Sequence, residues 1–150
     1  MTTDQMTLAI RIREAGLRVT APRLAVLEAV QGIGCHRDVT EITQTARARL
    51  GTLSTQSVYD NLDVLVESGL VRRLQLAGHP ARYEARTGDN HHHIACRKCG
   101  VTADVDCAVG AAPCLEPSNL HGFIIDEAAI TFWGVCPECQ QAQLAATTGN

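Results

Sequence analysis

Six of the seven cysteines in this 150-residue chain lie in its second half, and four of them form two pairs, Cys96-Arg-Lys-Cys99 and Cys136-Pro-Glu-Cys139. Each Cys-x-x-Cys forms a knuckle whose backbone N–H groups can point at the sulfurs. Two knuckles supply four thiolates, the tetrahedral set of a closed structural zinc site. The intervening 36 residues exceed the usual zinc-ribbon gap, but strands can bring distant knuckles together. The alternative is two redox pairs or idle thiols, and the absence of a thioredoxin-like βαβ pattern weakens the redox option. A site closed by four sulfurs has no open position, so it stabilises a fold and hydrolyses nothing. Cys107 and Cys114 read as small buried hydrophobes, with an accessory metal site or a redox pair as alternatives. Cys35, beside His36, reads as buried.

A second donor group follows from Asp89-Asn90-His91-His92-His93. In an extended strand His91 and His93 face one side and His92 the other. Two imidazoles with nearby carboxylates suit Mn, Fe, Co or Zn rather than Ca. Glu84 and Asp104 are the carboxylates that complete the set, and His36 is the remaining candidate. Ligands drawn from two domains would couple metal occupancy to domain orientation, because a ligand shifts a population through its differential affinity for two states. A solvated histidine run is the bland alternative.

These residues need elements to carry them. The first half shows four helical stretches. The first runs from about Asp4 to Ala15 and stops at Gly16. The second starts at the Thr20 cap, with Pro22 in its first turn. The third starts at Asp38, where Asp38 and Glu41 make a capping box, and the fourth starts at Ser54 and ends at Gly69. Leu70–Leu76 then reads as a strand, Gly78–Pro80 as a turn and Arg82–Ala85 as a return strand. Helices followed by a hairpin, with Gly51–Leu53 as the short turn between helices three and four, is a winged helix-turn-helix. Thr87–Asn90 is a turn-rich break. Beyond it, His92–Cys96, Val101–Val105, Gly122–Ile125 and Ala128–Val135 read as strands. A helix with Pro113 and Pro117 near its limits is expected between them, and a short helix after Pro137.

Composition agrees with a globular chain: 45% of residues are hydrophobic, yet 3% are aromatic, so the cores must be aliphatic. No apolar run approaches the length of a membrane span. Residues 1–16 carry acids and lack the pattern of a secretory signal, so a cytoplasmic, reducing compartment is expected. The net charge of -3 hides an asymmetry. Residues 1–88 hold 11 arginines against nine acids, and residues 89–150 hold two basic residues against seven acids. Arginine suits phosphate and base-edge contacts, so the first half permits nucleic-acid binding without demanding it.

Four stretches together resemble the ferric-uptake-regulator family of metal-dependent bacterial repressors. They are Gly16–Glu28, Ser57–Leu62 with Ser68–Val71, His91–Gly100, and Trp133–Cys139. Asp104–Gly110 followed by Ala112–Cys114 is similar to the actinobacterial FurA/CatR-type branch, which resembles peroxide-responsive regulators of catalase-peroxidase genes. The resemblance implies an α+β organisation. A winged helix-turn-helix domain at 1–86 and a hinge at 87–91 would lead into an α/β dimerisation and metal-binding domain at 92–150. It implies a homodimer bound to double-stranded DNA at an A/T-rich palindromic operator, with no membrane partner and no enzymatic activity. Cys96, Cys99, Cys136 and Cys139 match the structural zinc ligands. His36, Glu84, His91, His93 and Asp104 match the regulatory site, which would take Fe2+ or Mn2+. Peroxide sensors of the family tend to have Asp at the position of Asp104, and their iron form reacts with peroxide and oxidises a ligating histidine. His36 and His91 match the oxidised positions. Many members carry a third metal site. Here Ala128 stands where that site has a histidine, although His92 and His121 could serve.

The fourth helix points Val58 and Leu62 inward, so Thr55, Gln56, Tyr59 and Asp60 lie toward the exposed side. Gln pairs bidentately with adenine, and Tyr packs on a thymine methyl or bonds phosphate. Arg18 matches the family's minor-groove residue, favouring A·T-rich DNA. Arg72, Arg73 and Arg82 are expected to hold the backbone. Family iron regulators commonly have Arg where this chain has Asp60, which implies altered DNA contacts. The competing readings are an iron- or zinc-responsive repressor of metal homeostasis, a zinc-stabilised non-enzymatic scaffold, and a metal-dependent hydrolase. The hydrolase lacks a nucleophile or general-base motif.

Overall fold

Side-chain caps start the helices in the first half of the chain. Thr2 and Gln5 close a capping box on α1 (Thr3–Glu14), and Thr20 caps α2 (Ala21–Val30). Asp38 and Glu41 close a second box on α3 (Val39–Leu50), each side chain accepting the other's backbone N–H at 2.9 Å. Ser54 caps α4 (Thr55–Glu67). These oxygens satisfy N–H groups that a helix start leaves without an intrahelical partner. Gly51 ends α3 at φ 80, a conformation that strains residues with a Cβ.

The computed structural model describes residues 1–32, 36–89, 91–106, 117–125 and 128–148. It divides into two compact units, Met1–Thr87 and Gly88–Asn150. No helix among the described residues is long and apolar enough to cross a membrane.

In the first unit one aliphatic core joins the four helices. Leu8 and Ile12 of α1, Leu24, Leu27 and Val30 of α2, Ile42 and Ala46 of α3, and Val58, Leu62 and Leu65 of α4 are buried in it, with Val71 and Tyr83 closing one side. The three-stranded sheet has the order β1-β3-β2, all antiparallel: β1 (Arg37–Asp38), β2 (Arg72–Leu74) and β3 (Arg82–Glu84).

Two features differ from the sequence reading. The wing strand expected over Leu70–Leu76 is the shorter β2, because the Leu70 and Val71 N–H groups both bond the Leu65 carbonyl and finish α4. At the other end the Leu76 carbonyl accepts the His79 N–H and starts the turn. Strand β1 has no counterpart in the sequence reading. Asp38 both pairs with Arg82 and caps α3, and the cap is its more visible role.

The second unit has a sheet of order β5-β4-β6, with β4 (His92–Cys96) antiparallel to β5 (Thr102–Val105) and parallel to β6 (Thr131–Gly134). Helix α5 (Pro137–Thr148) follows. The strand expected over Gly122–Ile125 does not form. His121 and Gly122 turn the chain, the Phe123 N–H bonds Leu120, and Phe123, Ile124 and Ile125 are exposed. The strand expected over Ala128–Val135 is shortened to β6. Of the crossing helix expected with Pro113 and Pro117 near its limits, residues 113–116 lie outside the described residues, as do Cys35, Cys107 and Cys114, and Pro117 is not helical.

Burial gives the first unit a testable alkaline limit. Tyr83 is 2% exposed, and its pKa lies above the ordinary value. Desolvation is the main cause; Asp63 and Tyr59 add to the rise and Arg73 opposes it. As pH rises through about 10, the unfolded chain loses this proton first while the folded chain keeps it. Stability contributed by Tyr83 is therefore present below about pH 10 and lost above it. Urea midpoints of Tyr83→Phe should fall less than those of the native protein between neutral pH and about pH 11. Equal alkaline losses in both proteins would contradict this account.

Candidate metal centre

Strand β4 ends in Cys96. The Cys96 N–H donates to the Val101 carbonyl, and the Gly100 N–H returns to the Cys96 carbonyl, each at 2.9 Å. Residues 97–99 are thus the turn joining β4 to β5. Gly100 takes φ 74, where a side chain would be strained. The second knuckle is built on a helix start. Pro137 opens α5, and the Gln140 N–H donates to the Cys136 carbonyl at 2.9 Å, so Cys139 lies in the first turn. The Arg97 N–H bonds the Gly134 carbonyl at 2.9 Å, and its guanidinium sits 5.5 Å from the Trp133 ring centroid. These contacts tie the first knuckle to β6, the strand that leads into the second.

One Sγ from each of Cys96, Cys99, Cys136 and Cys139 lies within 4.8 Å of the others. All four are free thiols, and the Cys99 and Cys136 sulfurs are 3.7 Å apart. Tetrahedral zinc at about 2.3 Å from each sulfur sets sulfurs roughly 3.8 Å apart. The donor set therefore fits zinc. Backbone N–H groups of Cys136 and Cys99 pull the Cys96 thiol down to about 6. Hydrogen bonds to Cys136 and Cys99 push the Cys139 thiol up to about 12. A cation entering the cluster must displace the protons that remain.

The remaining candidate donors fall into two sets, one in each unit. In the first, His36 precedes β1 and Glu84 ends β3, with His36 Nε2 3.0 Å from Glu84 Oε2. Both are buried. Arg72 Nε lies 3.8 Å from the other Glu84 oxygen, and Arg82 donates to the His36 carbonyl at 2.8 Å. In the second unit the β4–β5 register sets His93 opposite Asp104. Asp104 Oδ1 is 3.6 Å from His93 Nε2 and 3.7 Å from His91 Nε2. The two imidazoles meet edge-on with centroids 4.8 Å apart. His91 Nδ1 is 2.7 Å from Asp89 Oδ1, which leaves Nε2 facing Asp104. His92 is fully buried and His121 exposed, and no donor group among the described residues contains either.

On the first unit Thr55, Gln56, Tyr59 and Asp60 are exposed together on α4. Gln56 Nε2 donates to Asp60 Oδ1 at 2.8 Å. Arg18 and Arg73 are exposed, whereas Arg82 is turned inward to His36.

Residues 14–132 match the family model of the ferric uptake regulator family. The chain belongs to the ferric uptake regulator family. It is 56% identical over 131 residues to the transcriptional regulator FurA of Mycobacterium tuberculosis, covering 87% of this chain and 88% of FurA. It is 29% identical over 137 residues to the peroxide operon regulator of Bacillus subtilis, covering 88% and 90%. Among solved structures, the ferric uptake regulator of Helicobacter pylori superposes with a TM-score of 0.66 at 23% identity, covering 90% of each chain. That structure is described as having three functional metal binding sites. A zinc uptake regulator bound to zinc and DNA superposes with a TM-score of 0.60 at 20% identity, covering 96% and 99%. Ferric uptake regulators are transcriptional regulators that bind DNA and form dimers; they are not enzymes.

Two supporting residues of this family member carry roles that the sequence reading does not assign. Asp89 holds His91, and its signal is its place two residues ahead of a candidate ligand. Arg97 ties the cysteine turn to β6, and nothing in the spacing marks it.

Among the described residues, the second unit buries only Ala95 and Cys96 as apolar side chains. Its order should therefore depend on the thiol cluster. Cys136→Ser should lose one equivalent of zinc and the cooperative unfolding of the second unit, while the α1–α4 unit keeps its helical signal. Zinc loading should also weaken on acidification, most steeply below about pH 6, where Cys96 too must give up a proton. Competition with a chromophoric chelator across pH checks the second point. A pH-independent affinity would contradict it.

Proposed function

We propose that this chain is a metal-dependent transcriptional repressor that senses peroxide through an iron-occupied regulatory site and controls oxidative-stress genes of the catalase-peroxidase type. The observation that carries this reading is the placement of Asp104, one carboxylate facing Nε2 of both His91 and His93. The proposed ligands of the regulatory metal are His36, Glu84, His91, His93 and Asp104. A mixed nitrogen and oxygen set of this kind suits Fe2+ or Mn2+. Structural Zn2+ is assigned to Cys96, Cys99, Cys136 and Cys139, whose soft thiolates suit it. When iron is bound it supplies the reactivity toward peroxide, and His36 and His91 are the side chains proposed to take up oxygen. Asp89 orients one of them.

DNA binding is assigned to the first unit. Thr55, Gln56 and Tyr59 on α4 read the major groove, and Arg18 enters the minor groove of an A/T-rich palindromic operator. Arg73 contributes a sequence-blind, salt-dependent term. The protein acts in the cytoplasm as a homodimer. Ile94 and Phe132, neighbours in the β4–β6 register, are both exposed apolar side chains, which supports a face covered by a second copy.

The test is binding of operator-type DNA by the zinc-loaded protein with added Fe(II) or Mn(II), before and after anaerobic peroxide. Both metals should support binding. The iron form alone should release DNA, with a one-oxygen mass gain on His36 or His91. Asp104→Glu should keep repression and lose peroxide sensitivity. Iron-supported binding that survives peroxide makes the protein an iron- or zinc-responsive repressor of metal homeostasis. DNA binding without a regulatory metal, or none at all, favours the zinc-stabilised scaffold.

A further inference from the structure

Asp60 sits where general affinity for DNA disfavours it. A carboxylate on a surface that meets phosphates is repelled by them. Yet Asp60 is exposed on the same face of α4 as Thr55, Gln56 and Tyr59, one helical turn beyond Gln56. It is also held in place, because Gln56 Nε2 donates to its Oδ1 at 2.8 Å. The bond draws on the donor end of the Gln56 amide. What the pair chiefly offers to an approaching group is acceptors, the second carboxylate oxygen and the Gln56 amide oxygen.

We infer that Asp60, positioned by Gln56, is a specificity-determining residue that selects a cytosine in each operator half-site. The inference rests on the reading of α4 as the helix that enters the major groove. Base edges there differ in what they present. Cytosine shows only the N4 amino donor, guanine shows two acceptors, thymine shows an acceptor and a methyl, and adenine places an acceptor beside its donor. A fixed carboxylate accepts from cytosine and is repelled by the acceptor edges of guanine and thymine. Selection therefore comes as much from repulsion of the wrong bases as from attraction to the right one. The same repulsion from phosphate lowers affinity for unselected DNA, which widens the ratio between specific and non-specific binding. Fixing by Gln56 matters because a mobile carboxylate would lose entropy on binding any one base.

The experiment is selection from a random duplex pool by the full chain loaded with zinc and Mn(II), comparing native protein with Asp60→Ala, Asp60→Asn and Gln56→Ala. Asp60 and Gln56 are exposed, so the variants should keep the native helical signal, checked by circular dichroism. Native protein should enrich one cytosine at a symmetric position in each half-site, preferred by roughly 5- to 150-fold over other bases. Asp60→Ala should lose that preference alone and keep the rest of the site. Asp60→Asn should shift it toward adenine, whose N6 and N7 match a carboxamide. Gln56→Ala should weaken it at the same position. Unchanged base preferences in both Asp60 variants would overturn the inference while leaving DNA binding by α4 intact. Native protein that enriches no sequence would overturn the DNA-binding reading itself, and this inference with it.

Discussion

Four sulfurs within 4.8 Å of one another are the constraint on which the second unit depends. Its described residues bury almost no aliphatic side chains, so burial alone offsets little of the entropy lost on ordering the chain. A cation bound by the four thiolates would act on two places at once. It would restrain the turn between β4 and β5 and the start of α5, which lie far apart in sequence. The parallel pairing of β4 with β6 follows from the same geometry, because each strand runs toward its own knuckle. Arg97 reinforces it through the Gly134 carbonyl and the Trp133 ring.

The histidine chemistry is built on that strand. Cys96 and His93 are three residues apart on β4, so the register that serves the knuckle also sets His93 against Asp104. The donor types then divide the labour. Four thiolates form a closed, soft set suited to a metal held as part of the fold. Imidazoles and carboxylates form a harder, more exchangeable set, oriented by outer partners such as Asp89. Under the proposed function, this division would separate a structural ion from one whose occupancy carries information. The first unit needs no such device. Its helices bury a continuous core, and its His36–Glu84 pair is held by Arg72 and Arg82 from the sheet.

Much of this was legible because it is local. Thr20, Asp38 and Ser54 cap the helices that the sequence assigns to them, since a cap acts on N–H groups two or three residues away. The Cys-x-x-Cys pairs and the alternation of His91 and His93 are also local patterns, set by residue type and by the period of a strand.

Tertiary structure decided what depends on distant partners. β1 exists because β3 offers an edge to residues 37 and 38. The wing strand shortens because the Leu65 carbonyl takes the N–H groups of Leu70 and Val71. Gly122–Ile125 has strand-like residues but follows a turn, and no described strand pairs with it. Likewise, sequence marks Asp60 and Gln56 as exposed, but the bond between them is a matter of side-chain placement. The sequence by itself determined the four helices of the first unit, the two cysteine knuckles and the candidate donors, because caps, spacing and residue chemistry act over a few residues. Strand partners, strand lengths and the ring nitrogen that each imidazole turns to its carboxylate came from the tertiary structure alone, because these depend on partners that the local sequence does not contain.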